Sequence, residues 1–425
     1  MAISAKTVRS SKVTYEDNSG LESIESHLVY MNDGVRVCTQ ACACCWDKPI
    51  PPTYEEQVEY LAKRSSTGHT SIFEHSNFVI LLKLSKIVHM SEVQYALMML
   101  ADSRYLNTRI TFYKANGDIA RAYILIGGSY RGYDELFRAS RYPNNPVMKA
   151  IAKVMYQYLD ARLFSYLCEN NILNADSFHG VEPDPISRFV SPFHEEGLYE
   201  DDKIKIVSAD SPKQIYKNVC DLIGGEAFTP AECDPMGTIT ILFKNMSRTG
   251  THQLVRHRNA ITQESQRYVD YSNAAFIDPV KFKPDKYEVD KKYTVHFGGQ
   301  EFQFTSEELG EEICKIYQDM LGQGLMKEDA RAFLPGNVAC RKIYMTFTYS
   351  SYMKFLELRC HPAAQAEIRS FAIDCRNAST SIFEQLANEF EAKENAVDEI
   401  LVDKEVLLKE VIKNDPELQE EPAKE

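Results

Sequence analysis

Apolar runs of five to seven residues alternate along the chain with longer stretches whose apolar positions recur every three or four residues, which predicts a mixed α/β protein. Phe78 to Leu84 (FVILLKL) reads as a buried strand, and from Ser85 a helical pattern runs through Val88, Val93, Leu97 and Leu100. Thr238 to Phe243 (TITILF) reads as a second strand, and Ser247 opens a helix through Gln253 to about His257. The two segments align without a gap: Ser85 falls on Ser247, and the same offset brings Ser103 of ADSRY onto Ser265 of QESQRY. GSYRGYDELFRAS (128–140) likewise matches FTYSSYMKFLELR (347–359), with Tyr130 on Tyr349 and Tyr133 on Tyr352. An internal duplication is the economical explanation.

The copies are unequal, since the second carries roughly 57 more residues between its matching blocks, a length closer to a subdomain than to a loop. Within that insert, at about 270–330, Lys281 to Phe304 alternates (YTVHF, FQF) like a hairpin. The junction falls in the polar, acidic stretch Ser187 to Asp202, giving a first copy over 1–190 and a second over 200–393. An acidic tail, 394–425, carries Ile400, Leu401, Val406, Leu407 and Val411 at helical spacing and reads as a solvated or partner-docking helix.

The chain has 425 residues, 44% of them apolar, enough for a substantial core. No apolar run approaches a membrane span, and a formal charge of −13 repels nucleic acid and anionic lipid. Neither is expected as a partner. The first residues lack an apolar secretory core, and eleven cysteines without one suit a reducing compartment, so a soluble cytoplasmic protein is expected. Cys38, Cys42, Cys44 and Cys45 crowd together, but adjacent Cys44 and Cys45 suit one tetrahedral site poorly and no second pair follows; buried free thiols are the better reading, and no metal is expected. His69 and His75 are not at HExxH spacing, and Cys360 lacks a partnering base, which favours core packing. The aromatic series Tyr344, Phe347, Tyr349, Tyr352 and Phe355 reads as a packing face.

The sharpest chemistry lies in His252-Gln253-Leu254-Val255-Arg256-His257-Arg258 and the following Gln263-Glu264-Ser265-Gln266-Arg267-Tyr268. On a helix continued through Arg258, Arg256 and Arg258 would point about 200° apart into neighbouring pockets. Gln253 and Arg256 would share a face and could meet one ligand. Ser265 and Arg267 supply the hydroxyl and forked donors that phosphate recognition uses; the plainer alternative is a basic helix end favoured by its dipole.

With its strand and helix context, this block resembles the signature of flavin-dependent thymidylate synthases, RHR followed by seven residues and Ser; here six residues intervene. Gly68 to His75 (GHTSIFEH) resembles a second signature of that family, Ala330 to Pro335 (ARAFLP) a third, and Leu358 to Arg369 (LRCHPAAQAEIR) a fourth. The copies divide the motifs. GHTSIFEH occurs only in the first, where its counterpart in the second is AECDPMG; HQLVRHR occurs only in the second, opposite Met90 to Ala96. Arg131 in the first copy stands where the family has an Asn-Ala-Arg flavin contact and Ser350 in the second; Arg359 in the second faces Ser140 in the first.

The resemblance implies two tandem copies of the family fold forming an intrachain pseudo-dimer, and a homodimer of chains as a pseudo-tetramer. It implies reductive methylation of dUMP to dTMP with FAD, methylenetetrahydrofolate as carbon donor and NADPH as reductant. Implied FAD contacts are His69, Ser71, Glu74, Arg131, Arg256, His257 and Arg258; implied dUMP contacts are Gln253, Ser265, Arg267, Arg331 and Arg359. Arg359 is the implied catalytic group, because methylation at uracil C5 places negative charge on the N3–O4 edge and a guanidinium there stabilises that charge as it develops. A fused pair can gather all these residues into one competent pocket while its mirror pocket decays. Two alternatives stay open: a related hydroxymethylase or methylase of pyrimidine nucleotides, and a non-catalytic nucleotide-binding scaffold.

Overall fold

A computed structural model describes residues 10–13, 21–87, 90–115, 118–140, 145–160, 162–163 and 197–379. The tail, its helical pattern and most of the expected junction lie outside these residues. Two five-stranded antiparallel sheets form the frame. The first comprises β1 (Ser10–Val13), β2 (Leu21–Met31), β3 (Phe78–Ile87), β4 (Leu106–Ala115) and β5 (Asp118–Gly128) in the order β1-β2-β3-β5-β4. The second comprises β6 (Tyr199–Glu200), β7 (Ile204–Ala209), β8 (Thr238–Ser247), β9 (Ala260–Gln263) and β12 (Ala339–Thr348) in the order β6-β7-β8-β12-β9. The insert contains the expected hairpin, β10 (Tyr293–Phe297) with β11 (Gln300–Phe304).

The two sheets correspond residue by residue. In β2 an extra residue, Val29, bulges between the pairs Leu28–Ile80 and Tyr30–Val79; in β7, Val207 bulges between Ile206–Ile241 and Ser208–Thr240. A bulge bends its strand and raises the local twist. Four residues after each bulge, an N-cap side chain starts a helix: Asp33 for α1 (Gly34–Trp46) and Ser211 for the helix Pro212–Ile223. At the far end of the sheets, Ser129 caps α4 (Tyr130–Ala139) and Thr348 caps the helix Tyr349–Arg359 through the amide three residues on. Between them in the chain run α2 (Tyr54–Ser66) and α3 (Met90–Asp102), then α5 (Pro146–Tyr158) after α4; Pro212–Ile223 is therefore α6, Arg248–Leu254 α7, Ser306–Gly322 α8 and Tyr349–Arg359 α9.

This register corrects the gapless alignment. Phe78 lies opposite Gly128 and Ile239 opposite Phe347, so Phe78 corresponds to Ile239 and Ser85 to Met246, not to Ser247. A one-residue slip exchanges the faces of a strand, and it would pair Ile80 of one core with Leu242 of the opposite face. Ser85 itself sits in β3, which continues to Ile87, and the helix begins only at Met90. Asn107 pairs with Gly127 as Ala260 pairs with Thr346, so Ser103-Arg104-Tyr105 stand where the second copy has Arg256-His257-Arg258. Ser103 precedes its strand and Ser265 follows its own; they are not equivalent. Sequence periodicity could not see the longer helical connection in the first copy that causes this offset.

Each copy packs its first helix against the other copy's sheet. Ala41 and Cys44 of α1 are buried with Val207, Leu242 and Tyr344 of the second sheet. Ile215 and Val219 of α6 are buried with Val29, Val79, Leu81 and Leu125 of the first. The opposite faces close the cores of their own copies, against α4 and α5 in the first and α9 and the helical residues 366–379 in the second. Burying one such aliphatic side chain contributes about 1.5–3 kcal/mol, so this reciprocal exchange binds the halves into an intrachain pseudo-dimer. The buried Asp210 carboxylate adds polar stitching, accepting from Tyr30 and Asn77 of the first copy and Thr238 of the second. No helix among the described residues is long and apolar enough to cross a membrane.

Candidate functional site

The second sheet ends in a cluster of guanidinium groups. Ser247 caps α7, which gives way to a 3-10 turn at Val255–His257 and stops at Arg258, whose φ of 54° is left-handed. The helix does not continue through Arg258, so Arg256 and Arg258 are not set on opposed helical faces as expected; the reversal at Arg258 sets their directions instead. Arg359, at the end of α9, donates from Nε to His257 Nε2 at 2.9 Å and from a terminal nitrogen to the Gln253 carbonyl at 3.3 Å. Burial, then the charges of Arg359 and Lys354, push His257 down to about 4. Its ring is therefore neutral near pH 7 and accepts from Arg359, while packing edge-on against Phe355. Burial and the neighbouring charge of Arg256 also lower the Arg359 guanidinium. Arg256 and Arg258 are exposed and have no carboxylate partner among the described residues. Gln253 turns its amide toward Gln365, at 3.5 Å, rather than into a ligand site shared with Arg256.

A second group forms where the loop after β9 meets the end of α1. The Ser265 amide donates to the Cys45 carbonyl at 3.0 Å, and the Ser265 hydroxyl accepts from the Arg267 amide at 3.2 Å. Arg267 is paired with Glu328 at 3.1 Å, and Arg331 Nε donates to the Glu328 carbonyl at 3.0 Å. Two expected phosphate donors thus converge on one acidic residue. Tyr268 stacks on Trp46 with centroids 5.7 Å apart, His69 meets the same indole edge-on at 5.1 Å, and Arg64 lies 4.5 Å over it. His69 from GHTSIFEH and the loop of Ser265 and Arg267 are therefore neighbours across the seam.

The rest of GHTSIFEH goes elsewhere. Ser71 is exposed. Glu74 pairs with Arg131, which also pairs with Glu135 at 2.9 Å and lies 4.6 Å over Tyr105. His75 is fully buried, its two ring nitrogens each 2.9 Å from a second-copy hydroxyl, Thr262 and Thr346. Burial pushes it down to about 3. Its counterpart Met236 packs over Gly127, the residue equivalent to Thr346. Among the described residues the contacts of the expected set thus fall into three groups, and Arg131 is already paired with two carboxylates. Sequence reasoning missed Trp46 and Glu328, which belong to no motif, and gave no role to Tyr105 of ADSRY or Tyr268 of QESQRY; the one hint for Trp46 was that it is the chain's sole tryptophan. Cys38, Cys42 and Cys44 are buried free thiols, Cys45 and Cys360 half-buried ones.

Residues 202–383 match the family described as thymidylate synthase complementing protein. Flavin-dependent thymidylate synthases of Pyrococcus abyssi and Geobacter sulfurreducens are 36% and 33% identical over 142 and 138 residues, 32% of this chain and 51% and 54% of theirs. That of Mycolicibacterium gilvum is 27% identical over 157 residues, 36% of this chain and 62% of its own. The chain spans about half the length of the curated relatives it matches. A solved UMP/dUMP methylase, PolB from Streptomyces cacaoi bound with 5-Br dUMP, is 18% identical with a TM-score of 0.31, covering 44% of this chain and 92% of its own. Residues 202–383 and the relatives above thus make the second half of the chain similar to the flavin-dependent thymidylate synthase family.

Proposed function

We propose that the chain is an FAD-dependent thymidylate synthase that converts dUMP to dTMP, with methylenetetrahydrofolate as carbon donor and NADPH as reductant. The observation that carries this reading is the pair Arg256 and Arg359, like charges close enough to act on each other, with exposed Arg258 next in chain to His257 and none of the three paired with a carboxylate among the described residues, in a chain of formal charge −13. Uncompensated cations that repel one another gain most from a bound polyanion. A flavin pyrophosphate and a nucleotide phosphate fit this donor chemistry, Arg256 and Arg258 holding the first. When bound, the flavin supplies the reducing hydride.

Arg359 is the group aimed at the uracil. Neutral His257 fixes the guanidinium through Nε and the Gln253 carbonyl takes one terminal N–H, leaving the other terminal donors to meet charge developing on the N3–O4 edge. A protonated His257 would donate rather than accept and would repel Arg359, so the lowered pKa keeps the pair intact at neutral pH. Arg267 and Arg331, with Ser265, hold the phosphate once it competes with Glu328 for Arg267. The mirror position carries fewer cations: Ser103 and Tyr105 stand at the places of Arg256 and Arg258, Glu135 at that of Lys354 and Ser140 at that of Arg359, against one gain, Arg104 at that of His257. One ligand set per chain follows.

The test is release of tritium from C5-labelled dUMP by the purified, flavin-loaded protein with both co-substrates, and the product mass. The reading requires flavin-dependent release and the mass of dTMP. A hydroxymethylated product would move the protein to a different transfer reaction, and absence of release with no binding of dUMP would defeat the enzymatic reading.

A further inference from the structure

We propose that Trp46 and Asp47, at the end of α1 in the first copy, are positioning residues for the nucleotide-phosphate loop of the second; the inference rests on the reading of Ser265 and Arg267 just given. Two contacts from one short stretch reach this loop directly, and a third reaches it through β12. The Cys45 carbonyl takes the Ser265 amide, the Trp46 indole carries Tyr268, and the Asp47 carboxylate takes Arg341 at 3.2 Å and Lys342 at 3.1 Å. Arg341 in turn holds Glu264, the fully buried residue immediately before Ser265, through Nε at 3.0 Å and a terminal nitrogen at 2.8 Å. Asp47, Arg341 and Glu264 thus form a chain of ion pairs that ends one residue from the phosphate hydroxyl.

Nothing comparable exists on the mirror side among the described residues. The equivalent helix α6 ends in Gly224 and Gly225, which carry no side chain to stack or pair, and at the place of the second copy's loop β4 simply continues. The left-handed turn common to both helix ends is made by Gly224 in α6 and by Asp47, φ 49°, in α1. A non-glycine residue in that conformation is uncommon, and Asp and Asn are the types that tolerate it. Asp47 keeps its side chain at that cost because the carboxylate anchors β12 and the Glu264–Ser265 turn. The six-residue spacing between Arg258 and Ser265 makes the anchor matter: β9 takes four of those residues, so the loop has little slack and its seating on Cys45, Trp46 and Asp47 fixes where Ser265 and Arg267 point.

Asp47→Asn keeps the turn and removes the charge; Trp46→Phe keeps a ring and Trp46→Ala removes it. With flavin-loaded protein, Asp47→Asn and Trp46→Ala should each raise KM for dUMP about tenfold or more while kcat at saturating dUMP and the FAD dissociation constant change less than about threefold, and Trp46→Phe should recover most of the loss. Melting curves of the same variants with and without dUMP accompany the kinetics. If Asp47→Asn and Trp46→Ala lower Tm but leave the KM for dUMP as in the wild type, the residues merely hold the halves together and the proposal fails. If kcat, FAD affinity and KM are all impaired together, it fails likewise, because the effect is then general. If the wild type itself binds FAD but not dUMP, the nucleotide reading fails first and takes this inference with it; if the wild type binds dUMP and the variants match it, only the inference is lost.

Discussion

His257 and His75 show how one residue type serves two ends through burial. His257 is kept neutral so that it can accept from Arg359, and the guanidinium gains a fixed direction. Replacing Arg359 by Lys keeps the charge but loses the fork, so we expect kcat to fall about 10²–10³-fold with FAD binding little changed, measured by single-turnover kinetics on the loaded protein. His75 bridges the halves through two hydroxyls, and burial lowers its pKa to about 3 in the folded protein from an ordinary value of 6.5. A depressed histidine pKa means that the unfolded chain takes up its proton first. The stability this neutral ring lends is therefore complete above about pH 6.5 and is lost on acidification toward pH 3, at a slope approaching about 1.4 kcal/mol per pH unit. His75→Gln should remove that slope; denaturant melts of both proteins from about pH 7 to about pH 4 measure the difference, and equal slopes would show that His75 is not the titrating group.

The exchange of α1 and α6 between sheets is where the elements meet. Ala41 is fully buried against Val207, Leu242 and Tyr344, leaving no room for a larger side chain. Ala41→Leu should cost about 1–3 kcal/mol through overpacking, read as a lower urea midpoint with an unchanged m value. Much of this layer was legible beforehand: the strands Phe78 to Leu84 and Thr238 to Phe243, the helix from Ser247, the hairpin of the insert and the buried faces of Phe347, Tyr352 and Phe355 are all present. The register was not. The repeated hydrophobic residues tolerate a shift of one, and only the ladder partners and the shared bulges at Val29 and Val207 fix it. Ser103 fails to match Ser265 for a different reason: the helical connection of the first copy is longer, which brings Ser103-Arg104-Tyr105 to the place of RHR. The motif residues were visible as chemistry, but which of them are neutralised, as Arg131 is by Glu74 and Glu135, is a property of side chains brought together from far apart in sequence.

At the scale of the molecule, the two halves share a sheet order and a bulge position but carry different functional side chains. The first keeps GHTSIFEH and an Arg131 wrapped in carboxylates; the second keeps the exposed guanidinium groups and the insert. Because each sheet is covered by the other copy's helix, neither half should fold alone: residues 197–379 expressed by themselves should be insoluble or lack a cooperative melt, and co-expression with residues 1–196 should restore both, as judged by calorimetry. The division also sets a stoichiometry. Titration of the purified protein with FAD, followed by absorbance and calorimetry, tests it most directly: the account predicts one FAD per chain, reduced to none in Arg258→Ala with the fold intact by circular dichroism. Two FAD per chain, or an undiminished single site in Arg258→Ala, would contradict it.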